Sequence, residues 1–536
     1  MNYAGMTFGP VIEALSATYT PAGLWFSSYF FSKFVGSCAM DLQKKGYEII
    51  SLKKGYDFKD YQEDRGVGKY HDRIYFRGNK NTDEIRQDIV DTINSVIDEN
   101  TDQLIEGFGK AGKTVSKEDM HDFISSFMQI HYAIFSEKDL VDKGVAKTIA
   151  DTLDALELSQ SILSEPGPNY MFKFAEGDPY KGSNDYLRHY APLIKASKEE
   201  AFRIAACGDN VRIRDIGYIS SNGKYTSKEI EENNYSPEKT EKYFAIVQCD
   251  GDNIGKIISG SSGIDGGPGT FDDQVSMIQE FSAKCMEYAD KAYQLISNSG
   301  GFLIYAGGDD LLFLSPVLSG NTNVWELCRN IAIEFNRIFN ADGLSGASLS
   351  FGMSINYYKF PLYEAFQDAL GLLFGEAKGY VRGVEKVKNN AAVKIHKASG
   401  QSMGVTFCMD TRGRADQIES GEDTLYQHYL KLIGLFTSAD RKKTNDLMTS
   451  VIFHVENQKS LFNEALNNGL DLHVLLENIF DGPVHGEAEK MISAVEELIL
   501  TSWKASSEHK LKALGGDTAI DAVTSMLRLA KFLVEE

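Results

Sequence analysis

The sequence has little cysteine and no long apolar run. Its six cysteines form no C-x-x-C pair, the usual signature of a cysteine zinc site. We therefore predict buried free thiols in a reducing compartment and no zinc. No stretch approaches the roughly 18 consecutive apolar residues of a membrane-spanning helix, and no basic flank precedes an early apolar run as in a signal peptide. These absences predict a cytoplasmic protein with no membrane segment.

Basic residues are also fewer than acidic ones, so the formal net charge is −21 at pH 7. A free-standing protein that coats nucleic acid needs Lys and Arg to neutralise phosphates, so the balance disfavours that class. It leaves open a local basic groove, or partner subunits that hold the nucleic acid. An acidic excess also suits a site whose carboxylates hold cations.

The patterning divides the 536 residues into four regions. Residues 1–155 mix strand-like and helical periods, and we interpret them as a first, non-catalytic domain. Residues 156–241 are mixed, with helical and loop-like segments. Residues 242–400 have the most regular alternation of strands and helices. Residues 401–536 look all-helical after a short lead-in, which predicts a C-terminal helical domain.

Within residues 242–400, two predicted strands end in acidic residues. The apolar run 243–249 leads into Asp250 and Asp252, and the strand at 301–306 leads into a tight turn that contains Asp309 and Asp310. The predicted order β-α-β-β-α-β indicates a ferredoxin-like palm in an α+β protein. We expect the turn to join two central strands and to lie beside the end of the first strand, so that the two acidic pairs face each other.

That arrangement has a chemical use in nucleotidyl transfer. Two Mg²⁺ or Mn²⁺ ions about 4 Å apart can activate an attacking hydroxyl and stabilise the departing pyrophosphate. Magnesium prefers hard oxygen ligands and keeps several waters, so a few carboxylates suffice. We predict Asp250 and Asp309 as the principal ligands, with Asp252 and Asp310 second. The backbone carbonyl after Asp250 can contribute as well.

Residues 242–400 resemble the catalytic palm of the large polymerase/cyclase subunit of type III CRISPR effector complexes of the Cmr type. The segments that carry this resemblance are 249–256 (CDGDNIGK), 305–312 (YAGGDDLL), 350–355 (SFGMSI) and 359–365 (KFPLYEA). Residues 8–11 and 24–29 look like the start of that family's first, non-catalytic palm. The resemblance implies two ferredoxin-like palms, a helical intervening domain and a C-terminal helical bundle.

The resemblance also implies a function and partners. The protein would assemble with a CRISPR RNA and smaller subunits, and pairing with target RNA would activate the palm. ATP would be converted to a cyclic oligoadenylate, or its AMP coupled to S-adenosylmethionine, and the sequence leaves both products open. We expect the nucleotide to be contacted by Gly251, Asn253, Gly307, Gly308, Lys378 and Lys256. The family places a phosphate-facing lysine near Lys378, while a helix C-terminal charge is the alternative.

Two family features are missing from the sequence pattern. Many relatives begin with a histidine-aspartate nuclease domain, whereas the first palm here starts at about residue 6, so nothing supports DNA cleavage by this chain. Many also carry a cysteine zinc motif between the palms, where this sequence has only Cys207.

Three other sequence patterns suggest a functional site but also have a purely structural interpretation. Residues 107–114 (GFGKAGKT) satisfy the phosphate-loop pattern, but the residues before them are helical, so we interpret them as an interhelical loop. His71-Asp72 and His121-Asp122 lack further metal ligands and are interpreted as surface or packing pairs. The Gly-rich loop 260–269 either approaches a triphosphate or merely connects two elements.

The sequence patterns leave three other functional classes open. A stand-alone diguanylate cyclase has a related palm, but its turn usually ends in Glu-Phe where this chain has Asp310-Leu311. A catalytically silent scaffold subunit is disfavoured by the four acidic residues. A phosphate-loop ATPase depends on Lys113 alone.

Overall fold

The computed structural model describes most of the chain. The described residues are 1–16, 18–56, 67–110, 116–158, 194–195, 202–204, 212–213, 215–232, 237–255, 269–320, 322–340, 347–379, 381–382, 385–386, 388–409, 425–438, 441–478, 488–507, 511–514, 516 and 518–533. No helix among them is long and apolar enough to cross a membrane.

The N-terminal part forms a four-stranded antiparallel sheet in the order β2-β3-β1-β4. Its strands are β1 (Asn2–Gly9), β2 (Glu48–Ile49), β3 (Arg73–Gly78) and β4 (Gln129–Ser136). Its helices are α1 (Val11–Ser16), α2 (Pro21–Lys44), α3 (Thr82–Lys110), α4 (Lys117–Phe127) and α5 (Val145–Glu157). The connection of strands through α2 and α3 is that of a ferredoxin-like fold, so the predicted first palm is confirmed.

Helix α2 explains why this region folds as it does. Thr20 caps it by accepting a hydrogen bond from the Gly23 amide, and Pro21 stands at its first turn. The helix is apolar on most sides, and Trp25, Phe26 and Phe34 are fully buried in the core beneath the sheet. A helix this apolar is stable only when it is enclosed, and α3 packs against it, while the Phe31 ring lies near the Phe127 ring of α4.

A second sheet has seven strands in the order β18-β17-β16-β13-β8-β10-β9. Its strands are β8 (Tyr243–Asp252), β9 (Phe302–Gly307), β10 (Asp310–Pro316), β13 (Ser348–Tyr357), β16 (Asn390–His396), β17 (Ser402–Cys408) and β18 (Leu511–Leu514). Its helices are α8 (Phe271–Asn298), α9 (Val324–Asn340) and α10 (Leu362–Gly371), which continues as a π-helix (Leu372–Ala377). The part β13-β8-β10-β9 with α8 and α9 is the predicted second ferredoxin-like palm, which is confirmed.

The prediction that the acidic turn joins two central strands was wrong. It joins β10 to β9, and β9 stands at the end of the sheet order. The reason is the strand order of the ferredoxin-like unit itself, in which the second strand pairs only with the third, so that β9 is an edge strand. The unit α10–β16 adds its strand in parallel at the opposite side, beyond β13. On the outer side of β9, Gly68 of the first palm forms a bridge with Tyr305, and the Ala306 amide donates to the Gly68 carbonyl at 2.8 Å.

Short elements lie between and beside the palms. They are β5 (Ile194–Lys195), β6 (Phe202–Ile204), β7 (Arg212–Ile213), α6 (Ile216–Ser220), α7 (Ser227–Glu231), β11 (Leu318–Ser319), β12 (Thr322–Asn323), β14 (Val381–Arg382) and β15 (Glu385–Lys386). Strands β5 to β7 form a small antiparallel sheet. The predicted intervening domain, residues 156–241, lies largely outside the described residues.

The C-terminal part is mainly helical but also extends the second sheet. Its helices are α11 (Leu425–Ser438), α12 (Arg441–Asn457), α13 (Lys459–Asn468), α14 (Leu472–Glu477), α15 (Ala488–Ser507) and α16 (Ala519–Phe532). The expectation of an all-helical segment beyond a short lead-in was wrong for β18, which pairs with β17. The four-residue strand is too short to give a periodic signal, and its buried positions are set by its neighbour.

One hydrophobic core runs from the second palm into the C-terminal helices. At the contact, the buried Tyr426 hydroxyl donates to the Trp325 carbonyl at 2.6 Å. The Tyr429 hydroxyl instead donates to the Met526 carbonyl at 3.1 Å, within the C-terminal helices. Helices α11 and α16 therefore form part of the support of the palm.

Tyr426→Phe should lower the free energy of unfolding by about 1 kcal/mol, because the buried hydrogen bond to α9 is lost without loss of the ring. Urea denaturation followed by circular dichroism measures this change. Tyr429→Phe is the matched control for a hydrogen bond within the C-terminal helices. An unchanged stability for Tyr426→Phe would contradict the coupling of α11 to the palm.

Candidate metal and nucleotide site

The central strand β8 brings two acidic residues to one face of the second sheet. Side chains alternate along a strand, so Asp250 and Asp252 share the face on which Phe244 and Ile246 pack against α10. The opposite face of the strand is covered by α8 and α9. Helices on both faces explain why this strand reads as a continuous apolar run before its polar end.

The turn after β9 supplies the second acidic pair. Gly308 has φ +68°, a conformation that side chains with a Cβ rarely adopt, and Asp310 pairs with Gly307 across the turn. Strand β10 is hydrogen-bonded to β8, with Leu311 opposite Cys249. This register brings the turn beside the end of β8, as the sequence pattern predicted.

Three carboxylates converge at this point. Oxygens of Asp250, Asp309 and Asp310 lie within 4.8 Å of one another. The Gly251 amide donates to Asp309 Oδ2 at 3.1 Å. Residue 251 has to be glycine, because a Cβ there would collide with Asp309 Oδ2 and lie 2.6 Å from Ile254 Cγ1. The peptide after Asp250 thus fixes the orientation of the carboxylate on the facing turn.

The electrostatics of the group favour a bound cation. Burial raises the pKa of Asp309, and it raises the pKa of Asp310 well above its ordinary value, with the Asp309 charge adding to the latter shift. Asp310 Oδ1 is buried without a hydrogen-bond partner among the described residues. Close carboxylates with an unsatisfied oxygen fit hard divalent ions such as Mg²⁺ or Mn²⁺.

Asp252 lies apart from this group and has a different environment. Its side chain is fully buried and accepts hydrogen bonds from Ser348 Oγ at 2.7 Å, Ser350 Oγ at 3.0 Å and the Asn389 amide at 2.8 Å. Burial raises its pKa above the ordinary value, although these hydrogen bonds oppose the shift. Its contacts tie β8 to β13 and to the residue before β16, which is the arrangement of a positioning residue.

Lys378 approaches the site from the end of the π-helix. Its ammonium contacts Asp250 Oδ2 and donates to the Gly251 carbonyl at 2.9 Å. Burial lowers the pKa of Lys378 to about 7, with the Lys388 ammonium contributing. This charge is therefore held less firmly than that of an exposed lysine.

Of the other residues expected to contact a nucleotide, some lie beside the carboxylate group and some lie outside the described residues. Gly251, Gly307 and Gly308 belong to the two chain segments that carry the carboxylates. Asn253 has φ +64°, a left-handed conformation that asparagine tolerates better than most residues. Lys256 and residues 260–268 of the Gly-rich loop lie outside the described residues.

A cavity of about 430 Å³ opens beside the acidic turn, between the two palms. The second palm contributes Asp309, Gly308 and one face of α8 to its wall. The apolar part of the lining consists mainly of Leu52, Ile278, Phe281, Met286 and Ala289. Its volume and largely apolar walls are typical of a pocket for one small organic ligand.

The first palm contributes basic residues to the same cavity, although the sequence pattern indicated only a surface or packing role for His71 and no role for the others. They are Lys69, His71, Arg73 and Lys147. His71 Nδ1 lies 2.8 Å from Asp72 Oδ1, and a Cβ on Gly308 would lie 3.2 Å from the His71 ring. A signal was available, because Lys69, His71 and Arg73 alternate as residues on one face of an extended chain do.

The remaining candidates lie elsewhere or outside the described residues. Helix α3 continues through the first half of the phosphate-loop pattern to Lys110, and residues 111–114, including Lys113, are not described. His121 is 40% exposed and lies 3.6 Å from Asp98, away from the carboxylate group. The described cysteines are Cys38, Cys249, Cys285, Cys328 and Cys408, which are free and buried, as predicted.

A family model described as Cas10/Cmr2, second palm domain, matches residues 243–389, which contain all four acidic residues. Residues 243–389 therefore resemble the second palm of Cas10/Cmr2. The resemblance to the Cmr-type large subunit of type III CRISPR complexes is therefore confirmed. The acidic turn, β8 and Lys378 all belong to this Cas10/Cmr2 palm.

One curated relative and two solved structures are also similar to this chain. The CRISPR system Cmr subunit Cmr2 of Pyrococcus furiosus is 34% identical over 176 residues, which cover 30% of this chain and 19% of the relative's own length. A type III-B Cmr-beta structure in the apo state matches with a TM-score of 0.56 at 11% identity, over 100% of this chain and 82% of that chain. A Cmr-beta structure bound to cognate target RNA gives 0.52 at 11% identity, over 100% and 83%. These two structures support the fold.

Asp310→Asn should raise the stability of the metal-free protein. The pKa of Asp310 is raised in the folded state, so its ionisation opposes folding at every pH above its ordinary pKa, and the neutral amide removes that penalty. We expect a gain of about 1 kcal/mol at pH 7. Thermal melting without metal measures it. A lower melting temperature for the variant would contradict the assignment.

Asp252→Asn should instead destabilise the protein by about 2–3 kcal/mol. In the wild type, Ser348 and the Asn389 backbone amide donate hydrogen bonds to the Asp252 carboxylate, and the NH₂ group of the new side chain cannot accept such bonds. Asp309→Asn serves as the comparison, since the Asp309 carboxylate has fewer donors. Chemical denaturation of both variants measures the difference. Equal stabilities would show that Asp252 does not tie the strands together.

Proposed function

We propose that this chain is the nucleotidyltransferase subunit of a type III CRISPR RNA-guided complex, and that it converts ATP to a nucleotide second messenger. The observation that carries the proposal is the convergence of Asp250, Asp309 and Asp310 within 4.8 Å, beside a ligand-sized cavity that Asp309 lines. Membership of residues 243–389 in the Cas10/Cmr2 second palm family supports it.

The proposed reaction is a displacement at the α-phosphorus of ATP. A ribose hydroxyl oxygen forms a bond to that phosphorus, the bond to the bridging oxygen breaks, and pyrophosphate leaves, while the hydroxyl proton passes to solvent. Two divalent ions, when bound, would lower the pKa of the hydroxyl and neutralise the leaving group. Asp250, Asp309 and Asp310 would hold these ions, with the Gly251 carbonyl as a further ligand.

The chain's own residues supply positioning and exclusion of water. The Gly251 amide keeps Asp309 turned toward the opposing strand, and Asp252 keeps β8 and β13 in register. The apolar wall of the cavity would enclose a nucleoside, and its basic residues, such as Lys69 and His71, would lie near negatively charged phosphates. Both palms would thus contribute to one nucleotide site.

Two product classes are consistent with the site. The palm would join ATP molecules into a cyclic oligoadenylate, or couple AMP to S-adenosylmethionine. The partners would be the other type III subunits, a CRISPR RNA and target RNA, in the cytoplasm. The Cmr-beta structures, one bound to cognate target RNA, support this assembly through their fold.

Asp309→Ala combined with Asp310→Ala should abolish pyrophosphate release by the assembled complex with matching target RNA, Mn²⁺ and ATP, because two of the three converging carboxylates are lost. We expect a decrease of at least about 100-fold in rate. A colorimetric pyrophosphate assay measures the rate, and gel filtration verifies that assembly is intact.

Lys113→Ala is the control, because it removes the lysine of the phosphate-loop pattern and should leave the rate unchanged. Activity that survived the double aspartate change but disappeared with Lys113→Ala would replace the proposal by a phosphate-loop ATPase. Turnover of GTP alone would indicate a diguanylate cyclase, and no turnover by the wild-type complex would indicate a silent scaffold. Mass spectrometry of the product, with and without S-adenosylmethionine, distinguishes the two product classes.

A further inference from the structure

The position of Lys378 is fixed by the end of the π-helix that precedes it. The Lys378 amide donates to the Leu373 carbonyl at 2.8 Å, and the buried Asn390 side chain donates to the Ala377 carbonyl at 2.7 Å. These contacts attach the helix end to β16. A single wide turn of this kind within a helix often occurs at functional sites, since it changes the direction of the residues that follow.

The ammonium of Lys378 occupies the place that a metal ion would take. It contacts the Asp250 carboxylate and the Gly251 carbonyl, and it lies 4.0 Å from Asp252 Oδ1. The side chains of Lys378 and Asp250 are only 15% and 21% exposed. A carboxylate and the carbonyl that follows it are the same hard oxygen ligands that a divalent ion would use here. An ammonium and a metal ion cannot share them at once.

We infer that Lys378 is an internal cation that occupies the first metal position of the nucleotide-free palm and has to leave it before a divalent ion binds. The inference rests on the proposed function, since it assumes that Asp250 is a metal ligand. While the ammonium is in place, it compensates part of the negative charge of the carboxylate group. When it leaves, the phosphates of an incoming nucleotide are its natural new partner.

This competition has a measurable consequence. The apparent metal affinity of the wild-type protein equals the intrinsic affinity multiplied by the fraction of molecules in which Lys378 does not occupy the position. Lys378→Met removes the charge and keeps most of the apolar stem, so the competition should disappear. The affinity of the nucleotide-free full chain for Mn²⁺ should then rise about tenfold. Free Mn²⁺ measured by electron paramagnetic resonance reports it directly and requires no turnover.

Lys394→Met is the matched control. Lys394, in β16 of the same sheet, forms a comparable half-buried ion pair with Asp368 at 2.8 Å. Asp368 is not one of the converging carboxylates. Its replacement should leave Mn²⁺ affinity unchanged. Lys378→Gln repeats the test with a polar neutral side chain in case Lys378→Met folds poorly. Lys378→Arg retains the charge and should not raise the affinity above that of the wild type.

The outcomes separate this inference from the proposed function. Unchanged or weaker Mn²⁺ binding by both neutral variants, or an equal rise with Lys394→Met, would overturn the role of Lys378. The double variant Asp309→Asn, Asp310→Asn should lose Mn²⁺ binding altogether. If that variant bound Mn²⁺ as well as the wild type, the metal site itself would be wrong, whatever Lys378→Met showed.

Discussion

The structure of this site depends on the mutual repulsion of carboxylates held close together at the ends of buried strands. Asp250, Asp309 and Asp310 are fixed by backbone elements and cannot move apart without breaking the register of β8 and β10. Burial and mutual charge raise the pKa of Asp310, which shows that the fold opposes the ionised state of this group. This arrangement does not favour the stability of the metal-free protein, and it is the arrangement that the proposed cation site requires.

The two acidic residues of β8 show how the same residue type serves different purposes two positions apart. Asp252 is enclosed by hydroxyl and amide donors, so its charge is satisfied by the protein itself. Asp250 has a lysine as its partner, which our inference replaces by a metal ion. The difference arises from β13, whose Ser348 and Ser350 reach Asp252, while Asp250 lies nearer the turn. Residue type alone therefore does not identify the ligands.

Much of this arrangement could be predicted from local patterns, and the remainder depends on distant parts of the chain. The strand before Asp250, the turn at Gly308 and the order of elements are visible because periodicity and turn residues are local properties. The edge position of β9 was mispredicted, because it is set by the pairing order of the four palm strands and not by the local pattern of the turn. The contribution of His71 to the cavity was also missed, because it arises from the docking of one palm on the other. The separate role of Asp252 required the register of β13, which no sequence spacing reveals.

The bridge between Gly68 and Tyr305 has a mechanical consequence. Strand β9 ends at the acidic turn, and its outer edge is held by main-chain hydrogen bonding to the first palm. The first palm is therefore joined through its main chain to the strand that carries Asp309 at its end. Because β10 and the Gly251 amide hold the acidic turn to β8, a displacement of the first palm would move the carboxylate group as one unit and would change the width of the cavity between the palms instead of the spacing of the carboxylates.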